Sequence, residues 1–337
     1  MDLVNSRPFL LGVNGLPVMT NINDISRQIG ISSRRIYEYT NYTSSFYHMF
    51  EIPKKDKSIR IIHAPFSGLK MIQRWILETI LYKIRVDTPS YGFLKGKKSP
   101  TKQNAEIHRS NIYLFQTDIK NFFTNVDFKR VYSIFLKIGY NKEVSLTLAR
   151  LCCLDGYLPQ GGVTSPYLSH LVCFRMDRRI MGLCQKREIV YSRYADDIVL
   201  SSDNKNDLKK ARVYLENIIH DEGFELNPKK TRYSFQKKLV TGLTIHDNKV
   251  LVPRAIKREL RSKIYNAIVF NDYSSYEVIL GYVSYINSIE NGYIKKVRDY
   301  IKSIINNESI ESDNLLFIKL NYEKSPLYSW MESSYTE

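Results

Sequence analysis

Tyr191-Ser192-Arg193-Tyr194-Ala195-Asp196-Asp197-Ile198-Val199-Leu200 places two adjacent aspartates between apolar flanks. The flanks predict a β-hairpin with the acidic pair at its turn. Adjacent acids alone would equally describe a solvated turn. An apolar strand on each side would instead carry the pair to the end of a buried sheet. Leu114-Phe115-Gln116-Thr117-Asp118-Ile119-Lys120-Asn121-Phe122-Phe123 leads to the same place, because there too an apolar strand ends on an aspartate.

Two strands delivering three carboxylates to one sheet end would make a hard, all-oxygen site that suits Mg²⁺. The cations would offset the clustered negative charge. Two such ions roughly 4 Å apart could activate a primer hydroxyl and stabilise a leaving pyrophosphate. Between the acidic strands lies Leu158-Pro159-Gln160-Gly161-Gly162-Val163-Thr164-Ser165-Pro166, followed by apolar residues at Leu168, Leu171, Val172 and Met176. Its prolines and glycines mark a rigid loop entering a helix. By itself this is a loop-to-helix junction. Between two acidic strands it reads as a nucleotide floor, where glycine lets a ligand approach the backbone.

The rest of the chain fits a polyanionic partner. Its 337 residues suffice for two or three packed subdomains. Fifty Lys and Arg against 34 Asp and Glu give a net charge of +16, which suits nucleic acid or an anionic membrane surface. No apolar run approaches the roughly 20 residues that span a bilayer. Met1-Asp2-Leu3-Val4 lacks the basic start of an export signal. Nucleic acid and a cytoplasmic location are therefore expected. Residues 54 to 102 carry +9 and residues 249 to 263 carry +5, while the tail from 304 to 337 is acidic. Cys152, Cys153, Cys173 and Cys184 form no CxxC pair, so buried thiols are expected rather than zinc or a disulfide scaffold. Leu69, Ile72, Ile76, Ile80 and Ile84 share one helical face, as do Leu208, Ala211, Leu215 and Ile218. Strands are expected over 111–118, 188–194, 198–201 and 238–245. Strands and helices in this order predict an α+β sheet with helices on one face.

Tyr194-Ala195-Asp196-Asp197 resembles the YxDD box of reverse transcriptases. Asp118 resembles their first metal-binding aspartate, and Leu158 to Pro166 their LPQGxxxSP box. Asn104-Ala105-Glu106-Ile107-His108 and Val240-Thr241-Gly242 are similar to the NAxxH and VTG boxes of the retron branch. These two boxes argue against other bacterial reverse transcriptases, of group II intron or abortive-infection type. The intact aspartate triad argues against a catalytically silent RNA-binding scaffold. The likeness covers roughly residues 47 to 270; the first 45 residues and the acidic tail carry no placeable motif.

The resemblance implies a right-hand polymerase. Its N-terminal segment and fingers would span 1–110, and its palm 111–245 with a fingers insertion about 130–155. A helical thumb and tail would span 246–337. It implies two Mg²⁺ ions on Asp118, Asp196 and Asp197, aided by the Ile119 carbonyl, and deoxynucleotide substrates. Lys55, Lys57 and Arg60 would bind the triphosphate, with Gln160 and Gly161 in the nucleotide floor. Phe123 would exclude a ribose 2′-OH. Lys230, or its neighbour Lys229, would protonate pyrophosphate. Gly242 would belong to the primer grip. Arg254, Lys257, Arg258, Arg261 and Lys263 would contact a duplex backbone, and Lys257 and Arg261 would share a helix face. A structured non-coding RNA template, a branched RNA–DNA product, anti-phage defence and a separate effector protein are also implied.

Overall fold

The computed structural model describes residues 6–54, 57–85, 87–94, 96, 98–306 and 312–333, without the side chains of 312–317 and Glu332. Contacts divide the chain into two compact units, residues 1–97 with 111–233, and residues 98–110 with 234–337.

In the first unit, β1 (Tyr47–Pro53) and β2 (Ile59–Pro65) form an antiparallel hairpin. β3 (Tyr113–Asp118), β4 (Val190–Tyr194), β5 (Asp197–Ser202) and β6 (Arg232–Phe235) form a sheet in the order β4-β5-β3-β6. The division between the units falls inside β6. Both pairings of β5, with β3 and with β4, are antiparallel. Leu114, Phe115, Ile198, Val199 and Leu200 are fully buried. The helices Phe174–Gln185 and Lys205–Asp221 pack against these strands and each other. The second of them buries Leu208, Ala211, Leu215 and Ile219, so its inner stripe ends one residue later than the sequence suggests.

Helices Phe128–Ile138 and Lys142–Cys152 lie around the stretch 130–155 and pack on one another. Each is N-capped, by Asp127 and Asn141, whose side chains accept the Arg130 and Val144 N–H groups. The helix Ser67–Thr79 stops before its apolar period does. Ile80 is its C-cap residue, and Ile84 lies beyond a short 3₁₀ turn. The first 45 residues, which carried no motif, supply Leu11, Met19, Ile25 and Ile36 to the same core, all fully buried. All four cysteines are buried and free, and burial pushes the Cys152, Cys173 and Cys184 thiols up to about 12.

The second unit joins the helix Pro100–Glu106 to an antiparallel meander of β7 (Lys238–Val240), β8 (Leu243–His246) and β9 (Lys249–Leu251). The expected single strand over 238–245 is therefore two strands. Thr241 and Gly242 stand at φ +46° and +80°, and two positive φ values in succession form a tight hairpin turn instead of extended chain. Helices Arg254–Val269, Tyr276–Ile289 and Tyr293–Ile305 follow and pack on one another. The sequence groups residues 98–110 with the N-terminal segment and fingers, whereas their contacts cluster with residues 234–337. Among the described residues, no helix is long and apolar enough to cross a membrane.

Candidate active site

Strand register brings the acids together. Asp118, the last residue of β3, pairs directly with Asp197, the first of β5. Tyr194 pairs with Asp197 across the β4–β5 hairpin, leaving Ala195 and Asp196 as a two-residue turn. The Ile119 N–H donates to the Asp196 carbonyl at 3.0 Å, tying the end of β3 to the turn. Ala195 stands at φ +58°. Glycine usually occupies such a position, and an L-residue there costs on the order of 1–2 kcal/mol.

Three carboxylates in one partly desolvated place repel one another. Burial and the Asp118 and Asp197 charges push Asp196 up to about 7. Burial and Asp118 raise Asp197, against the opposing pull of Lys230 and Arg232. Such a locus favours added positive charge, and an all-carboxylate donor set suits a hard divalent cation. Among the described residues, no three His, Cys, Asp or Glu side chains form a ready-made chelating group. The Lys230 ammonium instead donates to Asp118 Oδ1 at 2.9 Å. Burial opposes the charge on Lys230, but the three aspartates raise its pKa.

The loop that aims Lys230 runs along the end of β3. The Lys120 N–H donates to the Glu225 carbonyl at 2.9 Å, and the Asn227 N–H to the Asp118 carbonyl at 2.8 Å. A 3₁₀ turn, Pro228–Lys230, follows. Of the two lysines that the sequence left open, Lys230 is the one bonded to the triad. Lys229 joins Gln116, Thr117, Asp197, Lys230 and Arg232 around a cleft of about 220 Å³. Arg232 also donates from Nε and Nη2 to Gln116 Oε1, at 3.2 and 3.0 Å.

Arg193 received no role from sequence. β4 alternates its faces, so Tyr191 and Arg193 point the same way, toward Asp177 of the helix Phe174–Gln185. Arg193 Nε and Nη2 donate to the two Asp177 oxygens at 2.8 and 2.6 Å, and the Tyr191 hydroxyl adds a bond of 2.7 Å. Arg193 and Asp177 are 1% and 0% exposed. Burial alone would pull the guanidinium down, but the Asp177 carboxylate holds it well above the usual arginine range. Arg193 Nη1 reaches the Ala195 carbonyl at 2.9 Å. The outer edge of β4 is covered by residues 89–91: the Arg193 N–H donates to the Pro89 carbonyl at 3.0 Å, and the Tyr91 N–H to the Arg193 carbonyl at 2.8 Å. A Cβ on Gly92 would stand 2.8 Å from the Ala195 nitrogen. The usable signal was a charged residue inside a buried strand, which requires a carboxylate partner.

Phe123 is half-buried, with ring centroids 5.5 Å from Phe122 and 6.2 Å from Phe93. Lys57 and Arg60 are exposed on the β1–β2 hairpin; Lys55 lies outside the described residues. Gln160 and Gly161 sit against β2, where the His63 N–H donates to the Gln160 carbonyl at 2.8 Å. Gly161 has φ +122°, and a Cβ there would stand 2.7 Å from the His63 carbonyl oxygen. The close approach that requires this glycine is thus by β2 backbone. Gln73, missed from sequence, is buried at the same junction. Its amide donates to Tyr47 Oη and the Leu151 carbonyl and accepts from the Val163 N–H, at 2.7, 2.8 and 3.0 Å.

In the second unit, Arg254, Arg258 and Arg261 are exposed on one helix, and Arg261 lies 5.2 Å from the Tyr300 ring centre. Lys257 does not share their openness, because Glu290 holds its ammonium at 2.6 Å. Lys263 stands 3.9 Å from Glu259. Gly242 forms the β7–β8 turn. His108 is fully buried, and burial followed by the Lys238 charge lowers it to about 3.

A model of the family described as reverse transcriptase (RNA-dependent DNA polymerase) matches residues 52–249. The Retron Ec86 reverse transcriptase of Escherichia coli is 35% identical over 86% of this chain and 91% of its own length. The Retron Mx65 reverse transcriptase of Myxococcus xanthus is 30% identical over 81% of this chain and 70% of its own. Among solved structures, apo telomerase from Candida tropicalis matches 82% of this chain and 60% of that one, at 12% identity and a TM-score of 0.49, too distant a likeness to carry weight.

Proposed function

Since the chain belongs to the reverse transcriptases and, within them, to the retron type, we propose that this RNA-directed DNA polymerase copies a dedicated structured RNA into single-stranded DNA at Asp118, Asp196 and Asp197. The observation that carries this reading is the direct pairing of Asp118 with Asp197, beside a turn that adds Asp196.

Asp118, Asp196 and Asp197 would hold two Mg²⁺ ions, with the Ile119 carbonyl as a further oxygen. Bound there, the ions would supply Lewis acidity and charge neutralisation for attack by a primer hydroxyl on a deoxynucleotide. The remaining work belongs to the chain's own groups. The Lys230 ammonium, kept protonated by its carboxylate neighbours, holds a proton at Nζ for the leaving pyrophosphate. Arg60 grips the triphosphate in bidentate fashion, aided by Lys55 and Lys57. Gln160 and Gly161 form the nucleotide floor. The Phe123 ring excludes a ribose 2′-OH, so Phe123→Ala should admit ribonucleotides in single-nucleotide extension. An unchanged preference would return Phe123 to a packing role. Gly242 belongs to the primer grip, and Arg254, Arg258 and Arg261 follow the duplex backbone, with Lys257 and Lys263 contributing charge.

The template is a structured non-coding RNA and the product a branched RNA–DNA molecule. Synthesis takes place in the cytoplasm and serves anti-phage defence with a separate effector protein. The test is to purify the protein with its neighbouring DNA expressed, and to sequence the bound nucleic acid. RNA covalently joined to single-stranded DNA is expected from wild type, with RNA alone from Asp197→Asn. Wild-type protein carrying no DNA would contradict the proposal.

A further inference from the structure

The acidic turn is held by residues with no assigned role. Ala195 occupies a backbone region that alanine does not favour (φ +58°), so the turn depends on its surroundings to keep its shape. Both turn carbonyls are engaged: Asp196 O accepts from the Ile119 N–H, and Ala195 O from Arg193 Nη1. Arg193 is itself immobilised. Asp177 takes two of its side-chain nitrogens, and residues 89–91 take its backbone N–H and carbonyl. Directly after those residues, Gly92 lies so close to the Ala195 nitrogen that a methyl group there would displace backbone.

A buried ion pair of this kind adds little stability over well-packed apolar side chains. What it adds is direction, because a planar guanidinium with both carboxylate oxygens engaged has one orientation left for Nη1. Valine or leucine at position 193 could fill the strand but could not bond the Ala195 carbonyl. Lysine could neutralise Asp177, but its single ammonium cannot reproduce the fork that reaches both.

We infer that Arg193, oriented by Asp177, is a positioning residue for the catalytic turn, and that Arg193 and Gly92 together clamp Ala195 so that Asp196 and Asp197 face Asp118. The inference rests on the reading of the three aspartates as a divalent-cation site. It assigns specific residues to the support of that site, at a distance from the reacting atoms.

The test uses the full chain, metal-free and without nucleic acid, and measures Mn²⁺ binding by electron paramagnetic resonance. The Mg²⁺ requirement of primer extension is measured alongside. Arg193→Lys and Gly92→Ala are compared with wild type and with Ile36→Ala, a core change in the helix Ser33–Asn41. Each of the first two should weaken Mn²⁺ binding about tenfold or more, the range expected when the support of a metal site is lost. The same two should raise the Mg²⁺ needed for half-maximal extension, with little change in deoxynucleotide KM. Ile36→Ala should lower the melting temperature while binding Mn²⁺ as wild type does.

If Arg193→Lys does not fold, Gly92→Ala decides alone, because it removes no buried charge. Folded variants that bind Mn²⁺ within about twofold of wild type would overturn the inference. So would losses in all three variants that follow melting temperature alone. Wild-type Mn²⁺ binding that survives Asp197→Asn would instead remove the cation site itself, an outcome distinct from failure of the clamp.

Discussion

Each unit of the chain contains a buried cation that bonds backbone carbonyl oxygen, and the two cations do different work. In the first unit, Arg193 divides its guanidinium between the Asp177 carboxylate and the Ala195 carbonyl. In the second, Lys238 Nζ donates to the carbonyls of His108 and Arg109 at 2.8 and 3.2 Å, just past the end of the helix Pro100–Glu106. A point charge suits the carbonyl-rich end of a helix. A planar fork suits a turn that must be held in one orientation. Lys238 thereby ties the NAxxH box to the strand that opens the VTG hairpin, and the Thr241 hydroxyl adds a bond of 3.1 Å to the Thr101 carbonyl. Lys238 and His108, 130 positions apart in sequence, thus join the two boxes into one physical device. The acidic turn and the NAxxH and VTG boxes are thus each bonded by a cation that belongs to none of them.

The largest expected effect breaks the first device. Asp177→Asn leaves a guanidinium buried without its counter-charge, and should cost about 3–5 kcal/mol of stability. Lys238→Met removes the charge together with its need for partners, and leaves backbone carbonyls to be satisfied. It should cost less, about 1–3 kcal/mol. Chemical denaturation of both variants gives the ranking, and a larger loss from Lys238→Met would reverse the contrast drawn between the two cations.

A second measurement sharpens the comparison through pH. His108 is lowered from 6.5 to about 3 by burial and the nearby Lys238 charge, so it is neutral when folded. Between those values the unfolded chain binds the extra proton, so stability is fully present above pH 6.5 and is lost as pH falls toward 3. At pH 5 this linkage amounts to about 2 kcal/mol. His108→Gln should flatten the fall in melting temperature between pH 7 and 5. An equally steep fall in the variant would place the titration elsewhere.

The smallest effect separates two neighbours on one helix. Lys257 is held by Glu290, whereas Arg258 is exposed. Arg258→Ala should reduce the salt dependence of RNA binding by about one unit of slope, and Lys257→Ala by clearly less. Equal slopes from the two variants in filter binding would show that the Lys257–Glu290 pair opens in the complex.

What the sequence revealed follows from how each feature is encoded. The hairpin Tyr191–Leu200 and the strand ending at Asp118 were legible because apolar runs and acids are local signals. The Thr241-Gly242 turn inside 238–245 was not, because branched residues on both sides resemble one long strand until the positive φ values are seen. The sequence reads the glycine pair as a close approach by a nucleotide, whereas the neighbour that crowds Gly161 is the His63 backbone, nearly a hundred positions away in sequence. The partners of Gln73, Arg193 and Lys238 are fixed only by tertiary packing. Asp177 and Arg193 lie 16 positions apart on a helix and a strand, and His108 and Lys238 lie 130 apart, so neither pairing is a periodic local signal.

The central claim is that β3 and the β4–β5 turn together make one catalytic centre, and primer extension on an RNA template with deoxynucleotides and Mg²⁺ tests it most directly. Asp118→Asn removes one carboxylate charge on the opposite strand from the turn, with almost no change in volume. If the three aspartates act as a unit, this variant and Asp197→Asn should each lose about a thousandfold or more in rate, and the double variant should lose little beyond that. Both should retain RNA binding. Extension by Asp118→Asn within about tenfold of wild type, from a folded and RNA-bound enzyme, would contradict the account.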